Sequence, residues 1–259
     1  MPPYRYLRCI HPKYKKKIRV VMLKAVLFDL DGTLLPMDQD VFVKTYFSLL
    51  AKRLAPYGYD PEKLIRIIWK AISTEMDNDG SKTNQEVFWD VFTSAFGEKS
   101  REQEPVFEDF YRTEFNTVAS VCNPSPKANE IVKMLRKAGC MVILATNPIF
   151  PQTATDNRII WAGMDRNDFD EISTFENYGL CKPNIEYFRY LLKKFNLRPE
   201  ECIMVGNDVD EDMIASELGM RVFLMDYFII NRKNKDLSQY PKGGFDELTD
   251  YLKKELNKE

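Results

Sequence analysis

Short apolar runs recur along the chain and predict buried β-strands. Residues 24–30 form the first run; similar runs occupy 141–145, 202–205 and 222–225, and 171–175 is a weaker candidate. Short apolar runs without polar alternation are typical of parallel strands that are buried on both faces. The pattern therefore predicts a parallel β-sheet.

Amphipathic stretches between these runs predict helices. We expect helices at 128–138, 184–195 and 212–218, and a final helix at 245–256 with a charged tail after it. Strands that alternate with helices in this way are typical of an α/β protein whose parallel sheet is covered on both faces.

The sequence pattern changes in residues 38–118, which are rich in aromatic residues at helical spacing and show few of the apolar runs that predict strands. We predict four helices in this block, over 39–55, 61–74, 84–97 and 105–117, because proline and glycine stand at suitable starts and stops. Since the block follows the first predicted strand directly, it is predicted to be an inserted, all-helical second domain.

The first 21 residues carry seven of the 37 basic side chains and no acidic one. One interpretation is a basic arm that binds RNA or another anionic surface. The other, which we favour, is a flexible extension before a domain that begins at Met22. The expected organisation is an extension at 1–21, a catalytic core at 22–37 and 119–259, and the helical insertion at 38–118.

Composition excludes several classes of protein and site. Apolar residues make up 44% of the chain, charged residues 29%, and the formal net charge is −2, so neither disorder nor general nucleic-acid binding is indicated. No apolar stretch is long enough to span a membrane. The only histidine is His11, which excludes Ser–His and Cys–His nucleophiles. Five dispersed cysteines without a C-x-x-C pair predict reduced thiols in a cytoplasmic protein.

Polar side chains follow the predicted strands where each strand ends. The candidates are Asp29, Asp31, Gly32 and Thr33 after the first strand, Thr146 and Asn147 after the second, Lys182 before a helix, and Asn207, Asp208 and Asp212 after the strand at 202–205. Open parallel sheets bind ligands at the carboxyl ends of their strands. We therefore expect these residues to share one crevice, with Gly32 allowing the turn that brings Asp29 and Asp31 together.

In this order the residues resemble the motifs of the haloacid dehalogenase-like hydrolases, and the resemblance extends from about Met22 to the last strand. The sequence from Asp29 to Leu34 is similar to the first motif, Thr146-Asn147 to the second, Lys182-Pro183 to the third and the cluster at 206–212 to the fourth. The resemblance implies a Rossmann-like core with a helical cap, which agrees with the block at 38–118.

The resemblance also implies roles for the site residues. Asp29 would be the nucleophile that forms an aspartyl-phosphate, and Asp31 the general acid and base. Lys182, Thr146 and Asn147 would bind the phosphoryl group. Because several carboxylates face a phosphate, we expect a divalent cation, Mg²⁺, held by Asp29, Asp31 and a third group.

The fourth motif leaves the third metal ligand open. The commoner pattern has Gly-Asp with a second Asp five residues after the first, whereas here Asn207 follows Gly206. Either Asp208 is the ligand, or Asn207 takes the first position and Asp212 the second. We predict Asp208, because a carboxylate binds a divalent ion more strongly than an amide carbonyl, with Asp212 behind it and oriented toward Lys182.

The resulting hypothesis is a Mg²⁺-dependent phosphatase of small phosphorylated metabolites, and the partner is a small phosphate ester. The acid at Asp31 matches the phosphatases and phosphomutases of the family, not its dehalogenases. A phosphomutase is the first alternative, although nothing in 38–118 marks one. A non-enzymatic protein that binds RNA or an anionic surface through residues 1–21 is the second, and a catalytically idle scaffold is the third.

Overall fold

A computed structural model describes residues 22–257, so the predicted basic extension at 1–21 and the last two residues lie outside the described residues. Within this range six parallel strands form one sheet in the order β3-β2-β1-β4-β5-β6. The strands are β1 (Ala25–Phe28), β2 (Met141–Leu144), β3 (Glu171–Ile172), β4 (Cys202–Gly206), β5 (Arg221–Met225) and β6 (Lys242–Gly243). This order is that of a doubly wound, Rossmann-like sheet, which confirms the predicted α/β fold.

Strand β1 lies at the centre of the sheet and pairs with β2 on one side and β4 on the other. All four of its side chains are buried. Burial on both faces explains why the strand has an unbroken apolar sequence instead of an alternating one. The carboxyl end of β1 therefore lies between the ends of two neighbouring strands.

Four α-helices cover this sheet. They are α5 (Pro126–Lys137), α6 (Gln152–Trp161), α7 (Ile185–Lys194) and α8 (Phe245–Leu256). The predicted helix at 212–218 is instead a short 3-10 helix, Met213–Leu218. It ends at Gly219, whose left-handed backbone leaves too few residues for a longer α-helix.

The block between β1 and β2 is helical and contains no strand from residue 38 to residue 118. Its helices are α1 (Gln39–Leu54), α2 (Pro61–Met76), α3 (Asn84–Phe96) and α4 (Glu104–Arg112). The predicted helix over 105–117 is shorter, and a 3-10 segment, Glu114–Val121, follows it. The hydroxyl of Thr113 bonds to the carbonyl of Asp109 at 2.6 Å, and such competition with the backbone ladder is typical of helix ends.

Side-chain caps fix where these helices begin. Asp38 accepts the backbone N–H groups of residues 40 and 41, which starts α1 directly after the first motif. Asp60 caps α2, where proline occupies the first helical position, and Thr83 forms a capping box with Glu86 at α3.

None of the helices between residues 22 and 257 is both long and apolar enough to cross a membrane.

The helical block joins the sheet through two adjacent connections. Met37 and Cys122 form an antiparallel bridge, and the backbone N–H of Asn123 donates to the carbonyl of Pro36 at 2.8 Å. Apolar side chains of the block belong to the same buried cluster as those of one sheet face. The division into a core and a cap at residues 38 and 118 stays a prediction.

Candidate active site

The turn after β1 presents Asp29 and Asp31 to one cavity. Gly32 has a φ of +83°, in the left-handed region that favours glycine. A Cβ at Gly32 would also lie 2.3 Å from Nδ2 of Asn207, so the backbone must pass close to that side chain. Glycine is therefore required here both for the turn and for the approach of the 207 loop.

Lys182 lies beneath this turn and pairs with two carboxylates. Its Nζ donates to Oδ1 of Asp29 at 2.9 Å and to Oδ1 of Asp212 at 2.6 Å, and the side chain is only 1% exposed. Burial lowers the pKa of Lys182, but the carboxylates of Asp212 and Asp29 outweigh it and hold the pKa well above its ordinary value. The lysine is therefore a fixed positive charge next to Asp29.

Thr146 and Asn147 follow β2 and line the same cavity. The side chain of Asn147 accepts the backbone N–H of Lys182 at 2.8 Å and donates to Oε2 of Glu211 at 2.7 Å. Asn147 therefore ties the strand end to the backbone that carries Lys182. The amide that is predicted to bind the phosphoryl group therefore also connects the end of β2 to the segments that carry Lys182 and Glu211.

The loop after β4 places Asn207 and Asp208 differently. Oδ1 of Asn207 accepts the hydroxyl of Thr33 at 3.0 Å, which holds this amide against the turn after β1. Oδ1 of Asp208 accepts the backbone N–H groups of residues 210 and 211, and its Oδ2 lies 2.6 Å from Nη1 of Arg232. Both oxygens of Asp208 are therefore engaged, although both side chains line the cavity.

Asp212 supports this arrangement from below. It is fully buried, and while one oxygen accepts from Lys182, the other accepts the backbone N–H of Asp208 at 3.0 Å. The structure therefore places Asp212 at the floor of the cavity, between the lysine and the 207 loop.

Arg158 is a site residue that sequence reasoning missed. It lies on α6, is 1% exposed, and its guanidinium forms an ion pair with Oδ2 of Asp31. The guanidinium also lies 4.3 Å from the centre of the Phe150 ring. Burial raises the pKa of Asp31, and the positive charge of Arg158 opposes that shift without reversing it. Arg158 belongs to no motif, and the helix that carries it, α6, was not predicted. Nothing in the sequence therefore indicated that Arg158 is part of the site.

Glu211 and Arg232 were also missed and both line the cavity. Burial and the charge of Asp208 raise the pKa of Glu211 to about 8. Arg232 comes from the segment after β5, where the carbonyl of Phe228 and the backbone of Ile230 bond to Asn207. The sequence of this segment is irregular, so its return to the site could not be predicted.

The predicted residues Asp29, Asp31, Thr146, Asn147, Lys182, Asn207, Asp208 and Asp212 all line one cavity of about 290 Å³. Gly32 and Thr33 shape its wall from behind. This volume is near the lower end for small-molecule sites, which hold about 300–1,000 Å³. The sequence-based expectation that these strand ends share a crevice matches this arrangement.

The cavity also fits a small, hard cation. Oδ1 of Asp31 is buried and has no hydrogen-bond partner among the described residues, so an acceptor oxygen is left to bind something else. Within residues 22–257 no three His, Cys, Asp or Glu side chains form a metal cage. Mg²⁺ does not need one, because it is commonly bound through one or two carboxylates together with water and phosphate oxygens.

Comparison with known proteins agrees with this geometry. The model of the haloacid dehalogenase-like hydrolases matches residues 23–217. The chain is 28% identical over 238 residues to a glyceraldehyde 3-phosphate phosphatase of Methanocaldococcus jannaschii, covering 90% of this chain and 98% of that protein. It is 25% identical to a phosphoglycolate phosphatase of Vibrio vulnificus, over 79% and 84% of the two chains.

Solved structures show the same fold. A haloacid dehalogenase-like phosphatase from Thermococcus onnurineus superposes with a TM-score of 0.54 at 20% identity, over 89% of this chain and 98% of its own. A 2-haloacid dehalogenase from Pseudomonas syringae superposes with a TM-score of 0.58 at 20% identity, over 90% and 99%. The extent of the family match, together with the motifs at the strand ends, shows that this chain belongs to the haloacid dehalogenase-like hydrolases.

Proposed function

We propose that the protein is a Mg²⁺-dependent phosphatase that hydrolyses small phosphate esters through an aspartyl-phosphate on Asp29. The observation that carries this proposal is the ion pair between Lys182 and Asp29, with Asp31 beside them in one cavity. The named phosphatases among the relatives, which act on glyceraldehyde 3-phosphate and phosphoglycolate, support it.

In the first step the carboxylate of Asp29 attacks phosphorus, and the bond from phosphorus to the leaving oxygen breaks. Asp31 gives its proton to that oxygen, so the product leaves as a neutral alcohol. In the second step Asp31 takes a proton from water, the water oxygen attacks phosphorus, and the bond to Asp29 breaks. Asp29 is then regenerated as a carboxylate and inorganic phosphate is released.

The phosphoryl group is held by Lys182 and by the end of β2. Lys182 supplies positive charge, and the hydroxyl of Thr146 and the amide of Asn147 lie in the same cavity. Hydrogen-bond donors fixed before the reaction stabilise the charge that develops on phosphoryl oxygens. The Asn147 amide donates to Oε2 of Glu211 at 2.7 Å and to the carbonyl of Lys182 at 3.3 Å, so one of these bonds has to be released for the amide to bind the phosphoryl group.

Asp29 and Asp31 would hold Mg²⁺, which neutralises charge between the carboxylates and the phosphate. Oδ2 of Asp31 is paired with Arg158, so the buried Oδ1, which has no partner among the described residues, is the oxygen left for the cation, and the proton transfer requires Oδ2 to leave Arg158. For the third protein ligand we favour Asn207: among the described residues its Oδ1 accepts only the Thr33 hydroxyl, which holds it against the turn that carries Asp31, and a carbonyl oxygen has a second lone pair for a metal. Asp208 stays the alternative, as a stronger ligand that would first have to leave its present partners.

We also propose that the protein is cytoplasmic. Cys122, Cys140, Cys181 and Cys202 are all free thiols in the structure, and three of them are buried. Free thiols suit a reducing compartment.

The test is phosphate release from a panel of small phosphate esters with Mg²⁺ and with a chelator. Asp29→Asn should abolish release without unfolding the protein, because an amide keeps the shape but cannot attack phosphorus. Asp226→Asn, which changes an exposed carboxylate away from the cavity, is the control and should keep full activity. Activity of Asp29→Asn within tenfold of the unsubstituted protein would contradict the assigned nucleophile.

A further inference from the structure

The wall of the cavity opposite the carboxylates is strongly aromatic. It is formed by α1 and α2 of the helical block together with the loop after β2. Five rings face the cavity here: Phe42, Tyr46, Phe47, Trp69 and Phe150. Aliphatic side chains complete the wall, and Trp69 leaves 47% of its surface exposed at the edge.

No residue of 38–118 that lines the cavity carries a charge. The polar groups it contributes are the amide of Gln39 and the hydroxyl of Tyr46, and the latter is already bonded to the hydroxyl of Tyr111 at 2.8 Å. A charged group buried against such a wall would lose its hydration and would gain at most the amide of Gln39, which carries no compensating charge. The wall therefore disfavours a second negative charge on the substrate.

The cationic side chains that line the cavity within residues 22–257 are already committed. Lys182 is paired with Asp29 and Asp212. Arg232 lies 2.6 Å from a carboxylate oxygen of Asp208 and 3.8 Å from one of Glu211. A carboxylate or second phosphate on the leaving group would have to displace a partner of Lys182 or share the guanidinium of Arg232, whose charge Asp208 already balances through Nη1.

We infer that the leaving group of the substrate is an uncharged alcohol with an apolar or aromatic body. This rests on the proposed phosphatase activity and deepens it by naming the substrate class. The phosphoryl group lies at the carboxylate end, and the body of the alcohol packs on the rings of α1 and α2. Phosphoglycolate, whose leaving group carries a carboxylate, is then a poor substrate.

The experiment compares kcat/KM for three primary-alcohol esters in the presence of Mg²⁺: 2-phenylethyl phosphate, ethyl phosphate and phosphoglycolate. The first two have chemically similar leaving groups and differ mainly in the ring. We expect 2-phenylethyl phosphate to exceed both other esters by about tenfold or more, because only its ring can pack against the aromatic wall.

A variant pair shows whether the wall is the cause. Trp69→Ala should lower kcat/KM for 2-phenylethyl phosphate by about fivefold or more and leave ethyl phosphate within about twofold. The matched control is Tyr57→Ala, which removes an aromatic side chain of the same block that is 48% exposed and does not line the cavity. It should leave both esters unchanged.

The outcomes separate this inference from the proposal beneath it. If phosphoglycolate equals or exceeds 2-phenylethyl phosphate, or if Trp69→Ala slows all esters equally, the inference is overturned and the phosphatase assignment stands. If no ester releases phosphate with Mg²⁺, the proposed function itself fails and this inference falls with it.

Discussion

At the scale of single residues, the site is a chain of charges that hold one another in place. Lys182 joins Asp29 to Asp212, and Asp212 in turn accepts the backbone N–H of Asp208. Arg158 holds Asp31 from the other side. Each reacting carboxylate is therefore oriented by a buried cation.

The Arg158–Asp31 pair leads to a stability prediction. Arg158→Met leaves Asp31 without its cation, and breaking a buried pair costs about 3 kcal/mol of unfolding free energy. In a protein that already carries Asp31→Asn, Arg158→Met should lower the unfolding free energy by about 1 kcal/mol or more less than it does alone, because no carboxylate is left without its cation. Chemical denaturation of the four proteins measures this coupling.

The control for that cycle pairs Arg158→Met with Asp226→Asn, a distant surface change, and the two costs should add. If Arg158 does not act through Asp31, the losses of unfolding free energy from Arg158→Met and Asp31→Asn will also add. That result would refute the role of Arg158 in orienting Asp31.

The loop after β4 carries the second residue-scale prediction. If Asn207 is the third metal ligand, Asn207→Ala raises the Mg²⁺ concentration for half-maximal phosphate release by about tenfold or more, because a ligand is lost. Asp208→Asn, matched in size to the natural side chain, should raise it less, since both oxygens already have partners in the protein. A metal titration of both variants decides the order, and a larger effect at Asp208 would contradict Asn207 and support Asp208, the ligand predicted from the sequence.

At the scale of elements, β1, β2, β4 and β5 could be predicted because each is a continuous apolar run, and α1, α2 and α3 because proline, glycine and cap residues mark their ends. Helix α6, Gln152–Trp161, was not predicted. Its first turns contain threonine, aspartate and asparagine, which are weak helix formers, so its formation depends on packing against the rest of the protein.

The same contrast holds for the candidate site. Residues next to strand ends were predictable because topology brings parallel strand ends to one edge. Arg158 and Arg232 reach the site from α6 and an irregular segment, and these positions depend on tertiary contacts that local sequence does not encode. Glu211 was overlooked although it belongs to the 206–212 cluster after β4, and that place in the sequence was the available signal. Helix α4 ends where the backbone of Thr113 leaves the helical conformation, with φ −117° and ψ −90°.

Helix α2 carries a prediction about pH. Glu75 on this helix is fully buried, and neither carboxyl oxygen has a hydrogen-bond partner among the described residues. Burial raises the pKa of Glu75 well above its ordinary value of 4.5. The folded protein therefore keeps this proton to a higher pH than the unfolded chain does. The stability that Glu75 contributes is complete below the unfolded pKa and is lost as pH rises toward the folded pKa.

The side chain of the Glu75→Gln variant cannot ionise. The unfolding free energy of this variant should therefore rise relative to that of the unsubstituted protein as pH rises. The difference should grow steadily as pH rises above the ordinary range of a carboxyl group, because only the unsubstituted protein has to keep this buried carboxyl protonated. Denaturant unfolding at several pH values measures it, with the exposed Asp226→Asn as control. A difference that stays constant with pH would show that Glu75 does not keep its proton.

At the scale of the whole molecule, the proposed reaction would take its chemistry from the sheet and the surroundings of its leaving group from the helical block. All the predicted reacting groups lie outside 38–118, whereas most of the aromatic wall lies within it. Because the block shares an apolar cluster with one face of the sheet, its helices are held at a defined position above the strand ends. Substitutions in the wall should therefore change substrate preference more than they change the reaction itself.

The central claim is that Asp29 carries the phosphoryl group during turnover, and trapping that intermediate tests it most directly. The enzyme is mixed with Mg²⁺ and 2-phenylethyl or ethyl phosphate, quenched in acid within one turnover, digested and examined by mass spectrometry. We expect one added phosphoryl group on the peptide that contains Asp29, and no such adduct in Asp29→Asn. A phosphoryl group on another residue, or full turnover by Asp29→Asn, would contradict it.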